Sequence, residues 1–467
     1  MEKFFSGNEF TYHLINSERE YLRNTLIENE NEKDEEEKKK IRRKHNFPSI
    51  IDILSEPIDG RDLLEKNHIA ENEFHLIKEL LECGYGQCAK WDSYRVLDIK
   101  LAEKIHKIIM KRLDFTAECV LINDVKAYEV QEAYGILESA EKTNISFTLG
   151  GVFSYLAAKN WVRSYGDQLQ SFLHVNIYKN SIMEIDTNGT HNPDYIVETK
   201  GGEWHIFESK GGGFTTRWTR LQEGLEQVGA ITKVGWCENS KKTVLSHVCT
   251  FASIDAQKAI GIIVIDPEPK IDKSLIINKA ICRLIEKLMA IDKYTFFSNE
   301  SEPLNIKGME GWSFVHATHF DDVEIGLPKK YFDFEKELRG NLGVYLALRE
   351  ILENYSYKNI MSGSEILRLL NDRLIDFSLA RRPLNNLKTY EKFDFRWNEI
   401  LSSFFKLLEI DVLSSLYENI DKELSDRLTH QMKSHLTQSG MLVRQKSGPG
   451  YDNDPLPPMN KRPKMKR

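Results

Sequence analysis

The sequence predicts an α/β core, a central mixed sheet flanked by helices, set between mainly helical N-terminal and C-terminal regions. Three observations lead there. Between about residues 121 and 270, short apolar or alternating runs are broken by Gly, Asn and Pro and interleaved with helical periodicity. Outside that span amphipathic helical patterns dominate. The chain has 467 residues, 41% of them hydrophobic, enough to build two or three domains. The expected division is a helical region over 1–120, the core over 121–270, a helical region over 271–440, and a basic, disordered tail over 441–467.

Residues 17–44 are charged, with acids first and bases after. Asp34, Glu35 and Glu36 stand four residues before Lys38, Lys39 and Lys40, the order that supports an exposed helix. Patterned runs at 74–81 and 101–113 read as helices. The core opens with a helix over 147–165, where Leu149, Val152, Phe153, Leu156 and Trp161 recur near helical spacing. Strands are expected at 172–178 and 182–185, then a hairpin over 193–210. A helix from about Thr215 to Ile231 puts Trp218, Leu221, Leu225 and Val228 on one face, with Thr215 or Thr216 as its cap. Strands at 247–253 and 259–265 follow, the second ended by Asp266-Pro267. Further on, helices are expected at 276–289, 334–356 and 364–379, and twice within 393–436, with a short hairpin in 312–332.

The chemistry concentrates between Pro193 and Gly213. In a strand ending at Lys210, Trp204, Ile206, Glu208 and Lys210 share one face, and Glu208 and Lys210 stand roughly 7 Å apart. Asp194, Ile196 and Glu198 share a face of the preceding strand. Register decides whether the acids meet. A two-residue Gly201-Gly202 loop sends Asp194 and Glu208 to opposite faces, whereas a three-residue loop, Lys200-Gly201-Gly202, sets Asp194 directly across from Glu208. The three-residue loop or a bulge is the expectation. Asp194, Glu208 and the backbone carbonyl of Ser209 then form an oxygen set suited to Mg²⁺, with Mn²⁺ able to stand in. Lys210 sits where it can orient a hydroxide or meet charge on a phosphate.

Pro193-Asp194 followed by Glu208-Ser209-Lys210 resembles the motif of the PD-(D/E)XK superfamily, the restriction-endonuclease-like nucleases; the acids lie 14 positions apart. The resemblance implies a core of helix, three strands, helix and strand, and an Mg²⁺-dependent endonuclease with Asp194, Glu208 and Lys210 as catalytic residues. It implies nucleic acid as partner, DNA ahead of RNA, and by analogy a restriction or anti-phage defence role. The helix after Lys210 carries Arg217, Arg220 and Gln227 as candidate nucleic-acid contacts, with Arg220 and Gln227 on one side. The chain departs from the family where many members carry an acid on the first core helix. That position falls near Ser154, no Asp or Glu occurs between Phe147 and Arg163, and Glu184, Asp186 or Glu198 are the substitutes to consider. The alternative is a catalytically inactive nuclease-like protein that binds nucleic acid or protein.

The net charge of −7 excludes an argument for nucleic-acid binding from bulk electrostatics, so such binding needs locally basic surface. Arg444, Lys446 and the run from Lys461 to Arg467 offer one. Six scattered cysteines form no disulfide framework. His68, His75, Cys83 and Cys88 fit no common zinc finger. His316, His319, Asp321 and Asp322 read as surface polar residues. With no apolar run of spanning length and no signal peptide, a soluble, cytoplasmic protein without membrane partners is expected. The C-terminal helices could dimerise or bind a partner protein.

Overall fold

The structure, a computed structural model, describes residues 99–122, 128–178, 182–185, 193–228, 231–236, 241–258, 260–266, 273–299, 301–304, 311–317, 323–355, 434–437 and 439–445, with short pieces at 11–12, 80–83, 306, 309, 364–365 and 368–369. In chain order the elements are β1 (Thr11–Tyr12), α1 (Ile99–Glu118), β2 (Val120–Ile122), β3 (Tyr128–Val130), α2 (Glu132–Ile136), α3 (Ser139–Ser164), β4 (Leu169–His174), α4 (Val175–Tyr178), β5 (Ile182–Ile185), β6 (Tyr195–Thr199) and β7 (Trp204–Gly212). They continue with α5 (Arg217–Val228), β8 (Ile231–Trp236), β9 (Lys242–Ser253), β10 (Gly261–Ile265), β11 (Lys273–Ile277), α6 (Lys279–Ser298), β12 (Trp312–His316), β13 (Val323–Pro328), α7 (Lys329–Tyr355), β14 (Ser434–Leu436) and β15 (Leu442–Gln445).

The core is a mixed sheet in which β9 is the fork. Along the path β4-β6-β7-β9, the first two pairings are antiparallel and the third is parallel. The C-terminal half of β9 then pairs with β10, whose other edge takes β1. Its N-terminal end, at Lys242 and Thr243, pairs with β8 and so leads to β11 and β5. Two helices sandwich the centre of this sheet. On one side α3 packs against the face carrying His205 and Phe207, where Trp161 Nε1 donates to Ser246 Oγ at 2.8 Å. On the other, α5 covers the face carrying Glu208, with Leu221, Leu225, Cys249, Phe251, Ile263 and Ile265 forming the apolar cluster beneath it. Removal of these side chains from water is the main force seating α5 on the sheet.

Local chemistry explains the boundaries. Helix α3 starts eight residues before the expected point because Glu138 and Glu141 form a reciprocal capping box, with Glu138 N donating to Glu141 Oε2 at 3.1 Å. The strand expected over 172–178 ends at His174; Val175 N donates to the carbonyl of Asp194, the residue before β6, at 2.8 Å, and the chain then turns into α4. The helix expected from Ile276 begins only at Lys279. Ile276 and Ile277 complete β11 between β8 and β5, and Asn278 Oδ1 caps the helix by accepting from Ile281 N at 3.1 Å.

After β11 the described residues include strands where helix or tail was expected. The hairpin anticipated within 312–332 is present as β12–β13, and β15 and β14 add to it in the order β12-β13-β15-β14. Residues 434–436, assigned to a helix, and 442–445, assigned to the disordered tail, are therefore strands. Leu442 and Val443 are fully buried, and Arg444 is ion-paired to Glu324 rather than free for nucleic acid. Helix α6 carries charges inward: Lys293 Nζ donates to Leu81 O at 2.6 Å, and Asp292 is paired with Arg339 of α7. The charged stretch at 17–44, the helices expected within 393–433 and the run from Lys446 onward lie outside the described residues, as do most of the helix expected at 364–379 and most of 1–98. Among the described residues no helix is long and apolar enough to cross a membrane.

Candidate active site

Counted from the Thr199–Glu203 pair that closes it, the loop between β6 and β7 has three residues. Thr199 N donates to Glu203 O at 2.9 Å, and Gly202 N donates back to Thr199 O at 2.8 Å, around Lys200, Gly201 and Gly202. Gly202 has φ +77°, a conformation that costs glycine little. Asp167 steadies the tip by accepting from Gly201 N at 3.0 Å. The pairing that results, Tyr195 with Phe207, Ile196 with Ile206 and Glu198 with Trp204, is the register that puts Asp194 across from Glu208.

Where the ladder ends, side chains take over its hydrogen bonds. Asp194 N donates to Glu208 Oε2 at 3.0 Å, and Ser209 N donates to Asp194 Oδ2 at 3.1 Å. Each carboxylate is thus gripped by the main chain of the other strand. Lys210 Nζ reaches back to Glu208 Oε1 at 2.6 Å and across to Gln227 Oε1 of α5 at 2.5 Å. Glu208 is 2% exposed, Lys210 17%. Asp194, Lys210 and the glycines from 211 to 213 are partly open to solvent.

The electrostatics mark a site short of positive charge. Burial, and next the neighbouring Asp194 carboxylate, push Glu208 from 4.5 up to about 8. Burial likewise raises Asp194, against the pull of Lys210. Burial disfavours the Lys210 ammonium, but Glu208 and Asp194 outweigh it and hold the group above its ordinary value. One ammonium serves two carboxylates. A raised carboxyl pKa means the folded protein binds more protons than the unfolded chain, so the Glu208 contribution to stability is present in full below pH 4.5 and is lost as pH rises to about 8. Metal-free protein in EDTA should accordingly unfold at lower denaturant at pH 8 than at pH 6, and Glu208→Gln should flatten that difference.

The other candidates divide. Gln227 joins the site through Lys210. Arg220 is half exposed and pairs with Glu223 on its own helix, 3.1 Å away. Arg217 does not present itself to a phosphate as expected: it is 8% exposed, stacks on the Phe214 ring at 3.5 Å and donates to Phe214 O at 2.6 Å. Periodicity placed Arg217 on the helix but could not reveal that its guanidinium folds back onto the preceding turn. Ser154 is fully buried, its Oγ makes no hydrogen bond among the described residues, and it brings no charge. Glu198 is committed elsewhere, accepting from Trp236 Nε1 at 2.6 Å. Asp186 and the side chain of Glu184 lie outside the described residues.

Among the described residues no group of three or more His, Cys, Asp or Glu converges as a metal cage. Cys83 is buried with its thiol toward Leu80 O, and His68, His75 and Cys88 lie outside the described residues. His316 lies 3.7 Å from Glu324, and His319, Asp321 and Asp322 also lie outside. Sequence reading missed Gly224 and Cys249, which stand directly against Glu208; the available signal was a glycine inside an amphipathic helix. Comparison with protein-family models, with curated proteins and with solved structures finds no match to this chain.

Proposed function

We propose that this protein is a metal-dependent endonuclease that hydrolyses phosphodiester bonds of nucleic acid, on a restriction-endonuclease-like core. The observation that carries the reading is the reciprocal clasp of Asp194 and Glu208 at the end of two paired strands, with Lys210 bonded to one of them. Two neighbouring carboxylates, one of them fully buried, with raised proton affinity and a single ammonium bonded to one of them, are a poor arrangement for a folded protein unless a cation is brought in. The order α3, β4, β6, β7, α5, β9, with β7 and β9 parallel, supports the core assignment; β5 and β8 are insertions into it.

Asp194 and Glu208, with the Ser209 carbonyl, fit a hard divalent cation such as Mg²⁺. When bound, such an ion supplies a water of lowered pKa and offsets charge developing on the phosphate. The chain's own work is orientation. The backbone bonds from Ser209 and Asp194 fix both carboxylates, and the Lys210 ammonium, held from the far side by Gln227, is placed to steer the attacking oxygen.

Wild-type protein is expected to cut plasmid DNA or RNA with Mg²⁺ or Mn²⁺, and Asp194→Ala and Lys210→Ala to lose that activity with unchanged circular dichroism. Metal-independent cutting, or equal activity in the variants, would overturn the assignment. Apparent Mg²⁺ affinity should climb about tenfold per pH unit below about 8, because the carboxyl proton has to leave.

A further inference from the structure

We infer that Gly224 is a positioning residue for this site: its missing side chain lets α5 seat against Cys249, Glu208 and Lys210, and so fixes where the Lys210 ammonium meets Gln227. The inference rests on the reading above and names a part of the machinery that the motif does not contain. A Cβ at position 224 would stand 2.4 Å from Cys249 Sγ, 3.2 Å from Lys210 Cε and 3.3 Å from Glu208 Cγ. The first distance is far inside van der Waals contact, and the other two leave no slack.

The thiol has little room to retreat. Cys249 pairs with Glu208 in the β7–β9 register, is fully buried among Leu221, Leu225 and Phe251, and has one rotatable side-chain bond. Its Sγ–H is directed at Leu221 O, 3.8 Å away on the same helix. Gly224 is therefore a point where α5 closes tightly on Cys249 of β9 and on the side chains of Glu208 and Lys210. Gln227 follows three residues later on the same side of α5. Pushing the helix off at 224 moves the Gln227 carboxamide away from Lys210 and frees the ammonium to swing.

Intrinsic helix preference predicts that alanine at an interior helical position is better than glycine. The wedge predicts the opposite sign, and it also predicts that removing the opposing thiol restores what alanine costs. The experiment is a cycle of wild type, Gly224→Ala, Cys249→Ala and the double variant. Its three readouts are thermal unfolding, the pH titration of labelled glutamate carboxyl carbons in metal-free protein, and single-turnover cleavage with Mg²⁺.

Gly224→Ala is expected to melt below wild type, to shift the Glu208 titration, and to slow cleavage on the order of 100-fold, the scale of a misplacement of about 1 Å. The double variant should recover most of all three. A Gly224→Ala protein as stable and active as wild type overturns the inference, as does a loss that Cys249→Ala leaves in place. Should wild type itself fail to cut nucleic acid, the nuclease reading falls. The metal-free melting and titration arms still decide whether Gly224 sets the position of the Glu208–Lys210 pair.

Discussion

Glu208→Gln is expected to lower cleavage on the order of 1,000-fold while leaving the protein folded. The two halves of this result have one cause. Glutamine matches glutamate in shape and still offers an oxygen to Asp194 N, so the bond now made at 3.0 Å survives. What disappears is the negative charge that, on the proposed reading, would draw a cation, and that holds Lys210 at 2.6 Å. That same charge is costly in metal-free protein, where Glu208 is pushed up to about 8 by burial and by Asp194. The variant should melt no lower than wild type in EDTA at pH 8, whereas added Mg²⁺ should raise the melting temperature of wild type alone. A variant that unfolds would mean that the carboxylate serves the fold. A variant that cuts like wild type would remove Glu208 from the chemistry.

Gly211→Ala is expected to cost about 3 kcal/mol of stability, at the upper end of what overpacking does, and to abolish cleavage with it. A Cβ there would lie 2.2 Å from Ser146 O. That oxygen belongs to the backbone of α3, which cannot yield without moving the helix. Gly150, one helical turn further along α3, also lies close to β7: a side chain on it would meet Lys210 O and Gly211 N at 3.2 Å. Two glycines thus bring helix and strand into near contact immediately beside Lys210. Chemical denaturation of Gly211→Ala against Gly213→Ala separates the effects, since a Cβ at 213 meets only the Asp255 carboxylate, at 3.2 Å. Equal stability of the two variants would show that the approach of α3 to β7 is looser than described.

The parts of this molecule that depend on neighbours in sequence were legible before the structure. Strand alternation and a Gly-Gly turn narrowed the hairpin to two loop lengths, and the three-residue loop expected is the one present; both acids belong to one hairpin, so its register is a local property. Gln227 was named only as a candidate nucleic-acid contact, and its bond to Lys210 depends on how α5 lies on the sheet, which periodicity does not give. The fold-back of Arg217 onto Phe214 depends on packing in the same way. Ile276 and Ile277 begin an apolar run that fits strand or helix equally, and the Asn278 cap decides it. The strand over 442–445 was missed because one partner, β13, lies more than a hundred residues upstream, its near partner β14 was read as helix, and a basic, Pro- and Gly-rich stretch follows it.

The turn at Lys200, Gly201 and Gly202 places a parity rule on this chain's evolution. Side chains change sides at every step along a strand, so adding or removing one residue in that turn, without a compensating bulge, would send one acid to the far side of the sheet. Two residues gained or lost together would not. Descendants of this sequence that keep its chemistry are free to lengthen or trim the turn in pairs, and singly only where a bulge absorbs the odd residue.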